Sequence, residues 1–217
     1  MLSLDDKRIL QREFIDKFEI SDADAKTVYD SVSAKNLSKD TLIYTKDDNC
    51  GYIIVKSGVI RAFITSQNFK EITIFKLEGG DNCVICSSCT LNAFDTEITL
   101  SVEEDAEVLL IPMQTFKTLK DSYTTVLNHA LKIVSKRFAA VINVMEQALF
   151  LPLANRVRNF LLENAKENEL NITHEQLANH LGSAREAISR ILKEMEKSGE
   201  IAQKRGKIFI QNLQIKS

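Results

Sequence analysis

A stretch without glycine or proline, from Ser122 to Ala148, constrains the fold of this chain more than any other feature. Within it, apolar residues recur at alternating intervals of four and three, the a/d pattern of a helix that packs along a partner helix. This a/d seam consists of Leu127, Leu131, Val134, Phe138, Val141, Met145 and Ala148. The pattern predicts one long helix over residues 122–150.

A second apolar seam runs beside the first on the same predicted helix. It consists of Val126, Ala130, Ile133, Ala140 and Val144. Because a helix with two apolar faces needs two partners, we expect this second face to pack on the chain's own β domain. The a/d seam is then left for the same helix of a second subunit, which predicts a homodimer. The alternative is a helix buried within a monomer, and the sustained a/d spacing favours the dimer.

Residues 41–112 show short β-type runs in place of helical periodicity. The runs are Tyr52–Val55, Val59–Thr65, Ile72–Phe75, Ile98–Val102 and Val108–Ile111. Glycines such as Gly58 separate the runs and are expected at turns. Short, closely spaced strands predict an antiparallel β-roll or barrel.

These patterns divide the chain into three parts and predict an α+β fold. Residues 1–121 are expected to form a β-roll domain with flanking N-terminal helices, and residues 122–150 the long dimerisation helix. Leu151-Pro152-Leu153 breaks that helix and is interpreted as a hinge. Residues 151–217 form a compact helical module with a short β end.

Composition and charge limit the function classes. The chain has a net charge of −2 and no run of about 18 apolar residues, so we expect no membrane association. Its acidic start lacks the apolar core of a secretion signal, which predicts a cytoplasmic protein. From Thr173 to Ser217, eight Lys/Arg stand against five Asp/Glu. This local excess fits a basic module attached to an acidic body.

Two short helices separated by one glycine are predicted in the last part of the chain. Thr173, followed three residues later by Gln176, forms a capping box that starts the first helix. Gly182 allows the tight turn, and Ser183 with Glu186 predicts a second capping box. This arrangement predicts a helix-turn-helix.

The second of these helices separates its residues by face. The buried stripe is expected to consist of Ala187, Ile188, Ile191, Leu192 and Met195. The opposite side carries Arg185, Glu186, Ser189 and Arg190. Arginine can bind guanine O6 and N7, and glutamate can accept from cytosine N4, so this side predicts base reading in the major groove. The alternative is a solvated charged helix, which the segregated faces disfavour.

A basic hairpin is predicted after the second helix. Residues 201–203 and 208–210 are two short β runs joined by a turn that carries Lys204, Arg205 and Lys207. A hairpin with a basic tip is typical of a wing that contacts phosphate.

The order of β-roll, long helix, hinge and winged helix-turn-helix resembles the CRP/FNR superfamily of bacterial regulators, across essentially the whole chain. The resemblance is most specific over Leu181–Leu192. It implies a cyclic-nucleotide-binding-like roll and a DNA-binding transcription regulator. Arg185, Glu186 and Arg190 match base-reading positions of cyclic-AMP-binding members, and Ser189 completes the Glu-x-x-Ser-Arg signature of FNR-type members. The implied partners are a two-fold-symmetric operator with a TGA-like core and, for an activator, RNA polymerase.

The predicted sensor departs from members that bind cyclic AMP. The arginine that would pair with the cyclic phosphate is missing, and Asp95 and Glu97 would repel the phosphate, so we expect no cyclic-nucleotide binding. Three cysteines stand in that region instead, and a fourth lies on a predicted strand. They are Cys50, Cys83, Cys86 and Cys89.

Three interpretations of these cysteines stay open. They are ligands of an iron–sulfur cluster with Cys50 as the fourth ligand, a dithiol–disulfide switch, or small buried hydrophobic residues. His129, the histidine outside the C-terminal module, is expected to be partly buried rather than a haem ligand.

Two other function classes are the alternatives to a DNA-binding regulator. One is a small-ligand or redox-sensing protein whose C-terminal module binds another protein instead of DNA. The other is an enzyme, which we do not expect because no catalytic constellation or phosphate-binding glycine loop is present.

Overall fold

The computed structural model describes residues 2–43, 51–85 and 98–213. The chain forms two units, one made of residues 1–63 and 74–140 and the other of residues 64–73 and 141–217.

Helices open the first unit. A capping box between Ser3 and Asp6 starts α1 (Leu4–Leu10), which continues through a π turn and a 3-10 turn as far as Phe18. The Ser21 hydroxyl caps α2 (Asp22–Ser31) by accepting from the Asp24 amide at 3.3 Å.

An antiparallel sheet forms the body of the first unit, as the sequence predicts. The described strands are β1 (Ser33–Leu37), β2 (Leu42–Ile43), β3 (Gly51–Thr65), β4 (Glu71–Glu78), β5 (Asn82–Ile85) and β6 (Ile98–Pro112). Their order is β1-β6-β3-β4, with β2 paired to β6 and β5 paired to β3. Tyr52 and Leu109 are fully buried in the core of this unit, together with Phe14 from the N-terminal helices. The predicted α+β fold class is confirmed.

Gly58 lies inside a strand, so the prediction of a turn at this position was wrong. β3 joins two of the predicted runs into one strand of 15 residues, and β6 joins two others. Gly58 has φ +84°, and a Cβ on it would lie 2.2 Å from the Asp105 carbonyl oxygen. The glycine is required because two strands approach each other closely at this point.

The long helix is present as α4 (Thr124–Phe150). It begins two residues later than predicted, because a separate helix, α3 (Met113–Ser122), precedes it and Tyr123 between them is extended. Val126 and Ile133, on the second apolar seam, are buried in the core of the first unit, as expected. None of the described helices is both long and apolar enough to cross a membrane.

The second unit is a helical module with a small sheet. Its helices are α5 (Leu153–Asn164), α6 (His174–Leu181) and α7 (Arg185–Lys197), and its strands are β7 (Glu169–Asn171), β8 (Ile201–Lys204) and β9 (Lys207–Ile210). The strands pair in the order β7-β9-β8. Pro152 stands at the N-cap of α5, so the predicted helix break occurs there. Val157, Leu177 and Leu192 are fully buried in the core of this unit.

Residues 64–73 belong to this second unit. Ile72 forms a β-bridge with Leu181, and its side chain lies against Gly182. Thr73 Oγ1 is 2.7 Å from His180 Nδ1. These contacts hold the end of α6, where the chain turns toward α7.

Candidate nucleic-acid interface

The start of α6 has the capping box that the sequence predicts. The Gln176 amide donates to Thr173 Oγ1 at 3.2 Å, and the Thr173 amide donates to Gln176 Oε1 at 2.9 Å. Two backbone donors at the helix start are thereby satisfied, so α6 begins at a fixed residue.

The turn between α6 and α7 uses Gly182 as predicted, but the second capping box was a wrong prediction. Gly182 adopts the left-handed conformation with φ +63°. The Ser183 amide donates to the Ala178 carbonyl at 3.0 Å, which completes a Schellman motif at the end of α6. Because Ser183 still belongs to that motif, Ala184 becomes the N-cap of α7, and its side chain forms no capping hydrogen bond.

The two faces of α7 are separated as predicted. Ile188, Leu192 and Met195 are buried, whereas Ala187 and Ile191 of the predicted stripe are half-buried. Arg185 and Arg190 are exposed on the opposite side together with Glu186. Side chains of this outer face line a shallow surface depression, which we call the α7 surface. It consists of Arg185, Glu186, Ser189, Arg190, Lys193, Glu194 and Lys197.

Lys193 and Lys197 were not among the predicted site residues. They follow Arg190 at intervals of three and seven residues, so they lie on the same face of the helix. That spacing could have identified them from the sequence. They extend the positive charge of the α7 surface toward the end of the helix.

Ser189 lies on the α7 surface, but its hydroxyl has a partner inside the protein. Ser189 Oγ is 2.8 Å from His174 Nδ1, at the start of α6. The other imidazole nitrogen, Nε2, is 2.9 Å from Gln203 Oε1 on β8. His174 therefore connects α7 with the wing. No sequence pattern identified this role, because the three residues are far apart in the chain.

The wing has the predicted form, with Arg205 and Gly206 at the turn between β8 and β9. Lys207 Nζ lies 2.6 Å from Glu169 Oε1 on β7. The hydrogen bond from Lys207 lowers the pKa of the Glu169 carboxyl below its ordinary value. Lys204 Nζ lies 5.6 Å from the centre of the Phe209 ring. Arg205 is exposed at the tip of the hairpin.

The a/d seam of α4 is exposed on the chain. Phe138 is 65% exposed, and Leu131, Val134 and Met145 are each more than half exposed. Leu127 and Val141 are exposed to a lesser degree. Further apolar residues that were not predicted are exposed on the same helix, namely Ile142, Leu149 and Phe150.

Of the four cysteines, Cys83 alone lies within the described residues. Its side chain is buried in the core of the first unit as a free thiol. Burial raises the pKa of the Cys83 thiol, although Arg137 nearby partly opposes the increase. Cys50, Cys86 and Cys89 lie outside the described residues, as do Asp95 and Glu97. The cluster, switch and cyclic-nucleotide hypotheses therefore stay predictions.

His129 is partly buried in the first unit. Its Nε2 lies 3.0 Å from Asn82 Oδ1 and 3.2 Å from the Tyr52 hydroxyl oxygen. Burial lowers the pKa of the imidazole, and the charges of Lys17 and Lys132 add to this effect. A structural hydrogen-bonding role accounts for this residue.

An antiparallel sheet domain, a long helix and a winged helix-turn-helix together define a DNA-binding transcription regulator. The family model described as a Crp-like helix-turn-helix domain matches residues 155–214. A crystal structure of a transcriptional regulator of the Crp/Fnr family from Eubacterium rectale is 35% identical, covers 91% of this chain and 93% of its own, and superposes with a TM-score of 0.82. The chain therefore belongs to the CRP/FNR family of transcription regulators.

More distant structures share the fold. The c-di-GMP-responsive global regulator Clp of Xanthomonas campestris is 18% identical over 88% of this chain and 99% of its own, with a TM-score of 0.72. FixK2 of Bradyrhizobium japonicum is 17% identical over 86% of this chain and 98% of its own, with a TM-score of 0.67. No protein with curated annotation matches the chain.

Proposed function

We propose that this regulator binds a two-fold-symmetric operator as a homodimer, with α7 of each subunit in a major groove. The observation that carries the proposal is the outer face of α7, where Arg185, Glu186 and Arg190 are exposed while the opposite stripe is buried. Such a face supports contacts with base edges without any rearrangement of the helix core.

The side chains of this face differ in their roles. Arg185 and Arg190 can bind guanine O6 and N7 in a bidentate manner, and Glu186 can accept from cytosine N4. Lys193 and Lys197 lie farther along the helix, where they are suited to phosphate contacts.

Backbone phosphates have further partners on both sides of α7. The basic residues of the wing are Lys204, Arg205 and Lys207. Thr173 and Ser183 stand at the start of α6 and just before α7, where helix N-termini favour phosphate oxygens. These contacts would fix the register of α7 without reading sequence.

Dimerisation follows from the a/d seam. An apolar stripe with Phe138 65% exposed is unfavourable in water. The heptad spacing suits the same stripe on a second copy of α4. The dimer would place two copies of α7 about one helical turn of DNA apart, roughly 34 Å, as a symmetric operator requires.

We assign residues 1–121 to sensing, residues 122–150 to dimerisation and residues 151–217 to DNA binding. The signal would favour one dimer geometry over another and so shift the population able to bind DNA. A redox signal at Cys50, Cys83, Cys86 and Cys89 is the hypothesis for this sensor, as a cluster or as a disulfide. RNA polymerase is the expected further partner if the protein activates transcription.

Selection from a pool of randomised duplex DNA tests the proposal. The protein should enrich a palindromic sequence, bind it as a dimer in analytical ultracentrifugation, and lose affinity steeply with salt. A C-terminal module that contacts another protein would instead leave the pool unenriched. That result, or a monomer in the complex with DNA, would overturn the proposal.

A further inference from the structure

A chain of hydrogen bonds connects Glu196 through Gln203 and His174 to the hydroxyl of Ser189. We propose that this chain fixes the direction of the Ser189 proton, so that Ser189 acts in the major groove as a hydrogen-bond acceptor alone. Ser189 would then select a base that presents an exocyclic amine. This inference rests on the proposed function, because it requires α7 to read bases.

The first link fixes the amide of Gln203. Glu196 accepts from the Gln203 backbone amide at 2.9 Å through Oε1, and from Gln203 Nε2 at 3.2 Å through Oε2. A carboxylate accepts hydrogen bonds and does not donate them. The side-chain NH₂ of Gln203 must therefore face Glu196, which leaves Oε1 facing the other way.

The second link fixes the tautomer of His174. Gln203 Oε1 is an acceptor 2.9 Å from His174 Nε2, so Nε2 carries a proton. In the neutral imidazole one nitrogen is a donor and the other is an acceptor. In the neutral form of His174, Nδ1 is then the acceptor.

The third link fixes the hydroxyl of Ser189. Ser189 Oγ lies 2.8 Å from His174 Nδ1, so the hydroxyl donates its single proton to that nitrogen. The remaining lone pairs of Oγ can still accept hydrogen bonds. Ser189 lies on the α7 surface with Glu186 and Arg190, so these lone pairs are available on the face that reads DNA.

The major groove presents a limited set of donors to such an acceptor. Adenine N6 and cytosine N4 carry exocyclic amines, whereas guanine O6 and N7 and thymine O4 are acceptors. Ser189 in this arrangement should favour adenine or cytosine at the position it contacts. A serine with a free hydroxyl could donate to the other bases as well.

Base analogues that lack the amine test this inference directly. In one half-site of the duplex selected by the wild-type protein, each adenine is replaced in turn by purine and each cytosine by pyrimidin-2-one. At the position that Ser189 contacts, the replacement should lower wild-type affinity about fivefold, the effect of one neutral hydrogen bond. Ser189→Ala should bind the original and the replaced duplex equally at that position.

Gln203→Met tests whether the chain of hydrogen bonds sets this preference. The substitution removes the acceptor that holds the proton on His174 Nε2, so the ring can adopt the tautomer with its proton on Nδ1. That Nδ1 proton is donated to Ser189 Oγ, and the Ser189 hydroxyl is then free to donate to DNA. Discrimination against guanine and thymine at the position that Ser189 contacts should then weaken, because the hydroxyl can donate to their acceptors as well as accept from an amine, while affinity for a scrambled duplex is unchanged. Gln211→Met changes a glutamine outside this hydrogen-bond network and should keep the wild-type base discrimination. Circular dichroism melting curves of the variants establish that they are folded.

The outcomes separate this inference from the proposed function. Suppose that an operator is enriched, but that at no position does loss of an amine lower wild-type affinity without also lowering the affinity of Ser189→Ala. That result would overturn the acceptor role of Ser189 and leave the proposed function in place. Undiminished discrimination against guanine and thymine in folded Gln203→Met would overturn the role of the hydrogen-bond network. A pool that is never enriched would overturn the proposed function, and this inference with it.

Discussion

Arg158 and Glu200 form a two-point ion pair, with guanidinium Nε and Nη2 at 2.7 and 3.1 Å from the two carboxylate oxygens. Each side chain is 12% exposed. The pair connects α5 with the turn between α7 and β8, and the Ser198 hydroxyl also donates to the carboxylate. The hydrogen bond with Glu200 raises the pKa of Arg158 above its ordinary value. This contact fixes the end of α7 against α5.

Arg158→Met should destabilise the DNA-binding unit by about 3 kcal/mol, because it leaves Glu200 buried without its cation. The loss is measured as the free energy of unfolding in urea. Arg12→Met is the matched control, since Arg12 is 73% exposed in its pair with Glu13 and should contribute less than about 1 kcal/mol. Equal losses in the two variants would show that burial does not strengthen the Arg158 pair.

The ion pairs of Lys56 make the stability of the first unit depend on pH. Lys56 Nζ lies 2.7 Å from Asp6 and 2.9 Å from Glu107. Burial acts to raise the pKa of the Asp6 carboxyl, but hydrogen bonds from Lys56 and Ser3 outweigh it and hold that pKa below its ordinary value. A depressed carboxyl pKa stabilises the fold above the unfolded value, about 3.9, and this stabilisation is lost as pH falls through the folded value.

Lys56→Met should therefore be less stable than wild type by a constant amount from about pH 6 to pH 9. The difference should narrow below about pH 4, as Asp6 becomes protonated. Hydrogen bonds to Asp6 and Glu107 raise the pKa of Lys56, so its own contribution is lost only above its ordinary pKa. Urea unfolding of both proteins across this range measures the difference, and a gap that widens in acid would contradict the assignment.

Cys83 should react slowly with iodoacetamide in the native protein, because its thiol is buried and its raised pKa keeps it protonated. Mass spectrometry of the peptide that contains Cys83 measures the labelled fraction, and the same protein in urea is the control. Rapid labelling of the native protein would show that Cys83 is accessible. Slow labelling would mean that the remaining candidates for a thiol switch are Cys50, Cys86 and Cys89.

Phe138→Glu should convert the proposed dimer to monomer, because it places a charge in the a/d seam through which we propose that two copies of α4 pack. Sedimentation velocity at micromolar concentration measures the change. Asn143→Glu is the control, since Asn143 is exposed on the same helix and lies outside the seam. A dimer that persists in Phe138→Glu would place the subunit interface elsewhere.

Sequence patterns predicted those elements that depend on nearby residues. The capping box of Thr173 and the buried stripe through Ile188 need interactions over only a few positions, and both are present. The prediction of Ser183 as the N-cap of α7 was wrong because the Ser183 amide closes the end of α6. The local sequence pattern does not specify this geometric detail.

Features that depend on distant residues were not predicted. A glycine is required at position 58 because β6, about 50 positions farther along the chain, passes too close to leave room for a Cβ atom. The hydrogen bonds of His174 join Ser189 and Gln203 only after α6, α7 and the wing have packed together. Neither feature produces a periodic pattern in the sequence.

The affinity of Arg190→Ala for two duplexes, the selected operator and a scrambled sequence of the same length, tests base reading by α7 most directly. We expect a loss of about 1–3 kcal/mol on the operator and a much smaller loss on the scrambled duplex. Lys193→Ala is the comparison, since a phosphate contact should weaken binding to both duplexes alike. An equal loss for Arg190→Ala on operator and scrambled DNA would contradict base reading by this helix.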